Sequence, residues 1–190
     1  MNIIILASGS GTNAEQLIKH FASHPEVTIT GVLSNKPEAY VLERAKNHSV
    51  PTLVFNNEEF KEQSFMNKLN RFEADFIILA GFLRKIPDYL IKAFPDKIIN
   101  IHPSLLPKYG GKGMYGSFVH EAVIANKEKE SGITIHLVNE KYDDGRVLFQ
   151  ISCGIDANDT PDVLASKIHQ LEHEYFPQIV EDYLTNTANY

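Results

Sequence analysis

Short apolar runs and longer amphipathic stretches take turns along the first hundred residues. Asn2 to Leu6 is a β-branched run, Ala14 to Phe21 places Leu17, Ile18 and Phe21 at helical spacing, and Val27 to Leu33 alternates as a strand does. That is a βαβ unit. A helical stretch around Ala39 to Asn47 leads to Pro51 to Phe55. Another, around Glu58 to Phe72, leads to the continuous apolar run Phe76, Ile77, Ile78, Leu79, and the pattern repeats to Ile101. Such alternation builds a parallel sheet covered by helices on both faces, with right-handed crossovers. The prediction is an α/β fold, Rossmann-like, with a mostly parallel twisted sheet.

After Pro107 the pattern changes. Gly110, Gly111, Gly113 and Gly116 fall within seven positions, too few side chains to pack, and predict a mobile loop that could act as a lid. A short helix from about Ser117 to Asn126 follows. Ile133 to Val138 and Val147 to Ser152 then read as two strands joined through Asp143, Asp144 and Gly145, a joint that suits an antiparallel pair. A long amphipathic helix from Pro161 to about Tyr183 closes the pattern, with Asp159 and Thr160 as cap residues and Pro161 at the first helical position.

Composition narrows the classes. A chain of 190 residues, 43% hydrophobic and 22% charged, is expected to form one domain, 1–190, with an ordinary core. No window stays apolar for the roughly eighteen residues of a membrane span. Met1 to Ala7 lacks the basic leader of a secretory signal and runs into a glycine turn, which points to a first strand and a cytoplasmic chain. The formal charge of −6 argues against a nucleic-acid partner, whose backbone calls for a basic surface. Small-molecule substrates fit better. The single cysteine, Cys153, flanked by Ile151 and Ile155, reads as a partly buried strand thiol rather than a nucleophile.

The run Asn100, Ile101, His102, Pro103, Ser104, Leu105, Leu106, Pro107 concentrates the candidate chemistry. Residues i and i+2 of an extended chain point to one side, so Asn100 and His102 face a common space where a strand ends. In open α/β sheets ligands bind at that carboxyl end. Gly9, Ser10, Gly11, Thr12, Asn13, Ala14 follows the first strand and opens the first helix, a position suited to phosphate. The same letters match a dinucleotide fingerprint. The end of the second strand, Leu33, Ser34, Asn35, Lys36, Pro37, lacks the acidic residue or arginine that such a cofactor's ribose needs, which favours a single phosphate monoester.

Asp143 and Asp144 are either hairpin residues or the source of a carboxylate for His102, and spacing alone does not choose between them. His169, Glu172 and His173 spell an H-x-x-E-H zinc motif, but no third ligand suggests itself, and an exposed helix face is the simpler reading of the two histidines. No metal is expected.

Taken together, Ser8 to Asn13, the run Ala80, Gly81, Phe82, Leu83, Arg84, then Asn100 to Gly111, Gly132 to Val138, and Asp143 with Gly145 resemble the phosphoribosylglycinamide formyltransferases. These are folate-dependent transformylases of purine synthesis. The resemblance covers nearly the whole chain, and the octet from Asn100 is its most specific element. It implies direct transfer of a formyl group from 10-formyltetrahydrofolate, a co-substrate, to the amine of 5-phosphoribosylglycinamide, with catalytic roles on Asn100, His102 and Asp143. Asp143 is preferred to Asp144 because the family pattern is Asp-x-Gly. It further implies ribotide phosphate on Gly11, Thr12 and Asn13, and the substrate's amino end near Glu172. Folate is implied against Leu83, Arg84, Lys85 and Ile86, near Asn100, and within the loop Asn139, Glu140, Lys141, Tyr142, Asp143. On this reading 1–100 is a phosphate-binding half and 101–190 the folate and catalytic half, in a monomer or homodimer. The segment Lys112, Gly113, Met114, Tyr115, Gly116 departs from the family, as does Asn57 to Glu59, where some relatives carry a folate-binding arginine. Alternatives are a formyltetrahydrofolate hydrolase, a methionyl-tRNA formyltransferase, which adds a C-terminal domain and a basic surface, and a non-enzymatic phosphometabolite-binding module.

Overall fold

The computed structural model describes residues 1–187 and divides into two compact units, Met1–Ile99 and Asn100–Tyr190. In the first unit β1 (Asn2–Leu6), β2 (Thr28–Ser34), β3 (Thr52–Val54) and β4 (Phe76–Leu79) pair only in parallel, in the order β3-β2-β1-β4. The chain entering β5 (Ile98–His102) bonds to β4 through the Ile77 N–H and the Lys97 carbonyl, 2.9 Å. Ile3, Ile4, Ile5 and Leu6 are all fully buried, so both faces of β1 are covered.

Helix α1 (Thr12–Phe21) buries Ala14, Leu17, Ile18 and Phe21, the apolar stripe of the sequence, and α2 (Val41–Asn47) buries Val41, Leu42 and Ala45. Because β1 lies between β2 and β4, the chain leaves its carboxyl end at a topological switch point, and the glycine turn sits there.

One predicted helix is not continuous. Residues 58–72 form short 3₁₀ turns around a single α turn, α3 (Met66–Leu69). Buried phenylalanines recur here at 55, 60 and 65, five residues apart, which an α-helix cannot keep on one face. Glu62 turns extended, ψ 135°, and lets Phe60 and Phe65 meet Phe55 at ring separations of 5.0 and 4.9 Å. The short helix α4 (Asp88–Ala93) precedes β5.

The second unit holds α5 (Ser117–Ala125) and an antiparallel pair, β6 (Glu130–Leu137) with β7 (Val147–Gly154), in the register Ser131 to Cys153 and Ile133 to Ile151. Helix α6 spans Pro161–Thr187 and packs on α5, β6 and β7. Its buried stripe keeps a strict interval of four: Leu164, Ile168, Glu172, Phe176, Val180, Leu184. Lys167 fastens the approach to α6, its ammonium bonding the Gly154 carbonyl, Asp156 and Asp159. Among the described residues seven strands, parallel in the first unit with an antiparallel pair in the second, and the long helix α6 make up the α/β architecture read from the sequence. None of the described helices is long and apolar enough to cross a membrane.

Candidate active site

Strand β5 delivers its polar pair as alternation requires, with Ile99 and Ile101 buried on one side and Asn100 and His102 on the other. His102 is only 4% exposed. Its Nε2 lies 2.8 Å from the Tyr109 carbonyl oxygen. A carbonyl can only accept, so Nε2 carries a hydrogen and Nδ1 is left as the atom whose proton can come and go. The rest of the octet fixes that carbonyl. Ser104 donates its hydroxyl to the Lys108 carbonyl at 2.7 Å, while the Thr134 hydroxyl of β6 donates to the Ser104 carbonyl at 2.7 Å and accepts the Leu106 N–H at 3.0 Å. The two prolines thus bound a loop wound around one buried threonine.

Asp143 occupies a left-handed conformation, φ 51°, at the turn after β6. Its Oδ2 accepts the Gly111 N–H at 2.8 Å, and its Oδ1 stands 3.8 Å from His102 Nδ1 and 3.7 Å from His136 Nε2. Asp144 points away, its side chain 56% exposed and paired with Lys141. Between the two candidate acids, then, it is Asp143 that faces the imidazoles. The glycine loop is tied to the same carboxylate through Gly111.

His136 was not singled out from the sequence. Its Nδ1 donates to the Leu137 carbonyl at 2.8 Å, so its Nε2 presents a lone pair, which accepts from Asn100 Nδ2 at 3.0 Å. Burial pushes the His136 pKa below the usual imidazole range, against the pull of the Leu137 carbonyl and of Asp143. A neutral ring here orients the Asn100 amide with nitrogen inward and leaves its second N–H without a partner among the described residues. The signal existed in the sequence: His136 shares strand parity with Thr134 in an otherwise apolar run, and a polar pair on one face of a buried strand needs a reason.

Other expected positions are placed within their own units. The turn from Gly9 to Asn13 caps α1 through Gly11, φ 76°. Ser8 is buried behind it, donating its hydroxyl to Asn35 at 2.7 Å and accepting the Leu83 N–H at 3.1 Å. These bonds join the ends of β1, β2 and β4, a link that the lone Ser8 did not announce. Leu83, Arg84 and Lys85 are exposed, whereas Ile86 is buried. Asn139 is half-buried and accepts the Lys141 N–H at 2.9 Å, and Glu140, Lys141 and Tyr142 are exposed.

Glu172 is 6% exposed, on the inward stripe of α6. The histidines beside it differ: His169 is exposed, as expected, but His173 is half-buried, because the face that carries Glu172 and Phe176 turns it partly inward. Among the described residues no group of three His, Cys, Asp or Glu is arranged to hold a metal ion. Cys153 is half-buried on β7, and burial pushes its thiol pKa up, which suits an inert strand residue.

Chemically, the second unit presents an amide N–H, an imidazole with one committed nitrogen, and a carboxylate within reach of both imidazoles. That combination can stabilise an oxyanion and move a proton. Comparison with known proteins places the chain in a family. Residues 1–180 match the family model described as formyl transferase. The chain is 40% identical over 189 residues to the chloroplastic phosphoribosylglycinamide formyltransferase of Vigna unguiculata, covering 94% of this chain and 59% of that protein. It therefore spans about three fifths of the length of that plant relative. It is 34% identical to the phosphoribosylglycinamide formyltransferase of Bacillus subtilis (strain 168), covering 95% of this chain and 93% of that one. The crystal structure of the Bacillus halodurans enzyme of that name superposes with a TM-score of 0.88 at 32% identity, covering 98% and 97% of the two chains.

Proposed function

The chain belongs to the formyl transferase family, and from that premise we propose that it transfers the formyl group of 10-formyltetrahydrofolate to the amine of 5-phosphoribosylglycinamide, a step of de novo purine biosynthesis. The observation that carries this reading is the tautomer-locked set of Asn100, His136, His102 and Asp143. Attack of the amine on the formyl carbon builds negative charge on the formyl oxygen. The free N–H of Asn100 stabilises that charge, and His102, when protonated at Nδ1, supplies a second donor. As the new C–N bond forms and the bond to the folate nitrogen breaks, the amine loses a proton and the folate nitrogen gains one. His102 Nδ1 carries it, with Asp143, 3.8 Å away, ordering a water beside it. No covalent enzyme intermediate is needed.

In the same reading the phosphate rests on Gly11, Thr12 and Asn13, and the amides of Ser10, Gly11 and Thr12, which make no hydrogen bond among the described residues, fit an anion. Glu172 meets the amino end of the ribotide. Leu83 to Ile86 and Asn139 to Asp143 serve the folate. In this reading residues 1–100 bind the phosphate and lend Asn100 and part of the folate wall, 101–190 supply the rest of the folate and catalytic half, and the protein is cytoplasmic with small molecules as partners. His102→Ala and Asp143→Ala each lower formyl transfer by about a hundredfold or more without unfolding the chain. Turnover near the wild-type rate in either variant refutes the assignment. Formate release in the absence of ribotide favours the hydrolase.

A further inference from the structure

Helix α2 grips the glycine turn from behind. The Val41 N–H donates to the Gly9 carbonyl at 3.2 Å, and the Arg44 Nε–H donates to the Ser10 carbonyl at 2.9 Å. In a trans peptide the carbonyl and the following N–H point in opposite directions. Each bond therefore turns one amide away from α2, the first that of Ser10 and the second that of Gly11. Val41 also closes on Gly11, where a Cβ would lie 2.3 Å from its Cγ2.

Arg44 has a second task at this end of α1. Glu15 stands in the first turn of the helix, its own N–H bonded to the Gly11 carbonyl at 2.9 Å. A carboxylate there suits the helix dipole but repels an incoming phosphate. The Arg44 guanidinium pairs with Glu15 Oε2, Lys19 stands 3.7 Å from the same oxygen, and His48 lies 3.3 Å from Oε1. Burial raises the Glu15 pKa, but these partners outweigh it and hold the carboxyl below its ordinary range, so the charge is present and needs compensation. Tyr40 supports the arrangement, its ring centroid 4.9 Å from the guanidinium carbon.

We propose that Arg44 is a positioning residue for the ribotide phosphate, aiming the Gly11 amide through the Ser10 carbonyl and cancelling the charge of Glu15 beside the anion. This rests on the reading of the glycine turn as the phosphate site. The guanidinium does both at once because its Nε–H and terminal nitrogens form a fixed fork, which a lysine lacks.

Steady-state kinetics with glycinamide ribonucleotide as the varied substrate separate this role from a structural one. Arg44→Ala raises the ribotide KM by roughly tenfold or more, while kcat and the formyl-folate KM stay within about threefold. Arg44→Lys falls between the two. Adding Glu15→Gln to Arg44→Ala recovers at least about threefold of the lost KM, because the unpaired carboxylate is gone. Inorganic phosphate, used as a competitor, weakens in step. An unchanged ribotide KM in Arg44→Ala, or a kcat loss at constant KM, overturns the proposal. Ser10→Asp, an exposed change that puts a carboxylate into the turn, tells the two failures apart. If it too leaves the ribotide KM unchanged, the phosphate reading of the turn has failed; if it raises KM and Arg44→Ala does not, only the role of Arg44 has.

Discussion

Gly145 is a position at which a single methyl group would displace the carboxylate proposed to serve catalysis, that of Asp143. A Cβ built there lies 1.8 Å from the Leu137 carbonyl oxygen, and real Cβ contacts do not close below 3.0 Å. Gly145→Ala must therefore push the turn away from β6 by about 1.2 Å, the difference between those distances. The obstacle is backbone, and the Leu137 N–H is itself bonded to the Arg146 carbonyl at 2.9 Å, so β6 cannot yield alone. Asp143, two residues earlier, moves with the turn and leaves its stations 3.8 and 3.7 Å from the two imidazoles. A misplacement of about 1 Å at a catalytic group costs roughly a hundredfold in rate. Overpacking costs about 1–3 kcal/mol, which a domain of this size survives. Steady-state assays together with urea unfolding should show kcat down about a hundredfold, the ribotide KM within a few-fold, and a cooperative transition at a lower midpoint. Gly154→Ala, on the partner strand, is the control, since a Cβ there meets nothing within 4 Å. A Gly145→Ala enzyme turning over within about threefold of wild type would falsify the claim that the position of Asp143 limits the reaction.

Three further outcomes follow from the same geometry. Asn100→Ala removes one donor to the developing oxyanion and lowers kcat by about 10²–10³. His136→Leu removes the acceptor that orients the Asn100 amide, so its loss lies between about twofold, for an amide left free to flip, and the full loss of Asn100→Ala. Because His136 acts through Asn100, the double variant should be no slower than Asn100→Ala by more than about threefold; multiplied losses would show independent roles. Stability should also depend on two buried histidines. Burial pushes His136 and His120 down, His120 with help from His169 and then His102. Their folded pKa values lie below the unfolded value of about 6.5, so the unfolded chain takes up protons first as pH falls. Their contribution is complete above that pH and is lost toward the folded pKa. Urea midpoints between about pH 7.5 and 5.5 should therefore fall less for His120→Asn than for wild type, and equal slopes would contradict this.

Most of the architecture was legible because period and punctuation agreed. The apolar runs at the heart of β1, Ile3 to Leu6, and of β4 have no polar position to confuse them, and Pro161 after Asp159 and Thr160 marks the start of α6 as written. The segment 58–72 misled because Phe60 and Phe65 supply helix-like apolar content at an interval that belongs to no helix. In the candidate site, Asn100 and His102 declare themselves by strand parity and proline flanks. Asp143 needed its partner Gly145, and the reason is steric: the turn passes so close to Leu137 that only glycine fits. Contacts made by backbone were the least visible. Nothing in the letters of Tyr109 says that its carbonyl fixes a histidine tautomer, or in those of Arg44 that it reaches Ser10. Such bonds depend on where loops return, which pattern alone does not encode.

The central claim is that this chain moves a formyl group between two small molecules by means of Asn100, His102 and Asp143. Its most direct test is one spectrophotometric assay of the purified protein with 10-formyltetrahydrofolate, run with glycinamide ribonucleotide, with water alone, and with methionyl-tRNA. The account predicts release of tetrahydrofolate only when the ribotide is present, in step with formation of the formylated ribotide. Folate release that is independent of the ribotide, or that needs the tRNA, contradicts it.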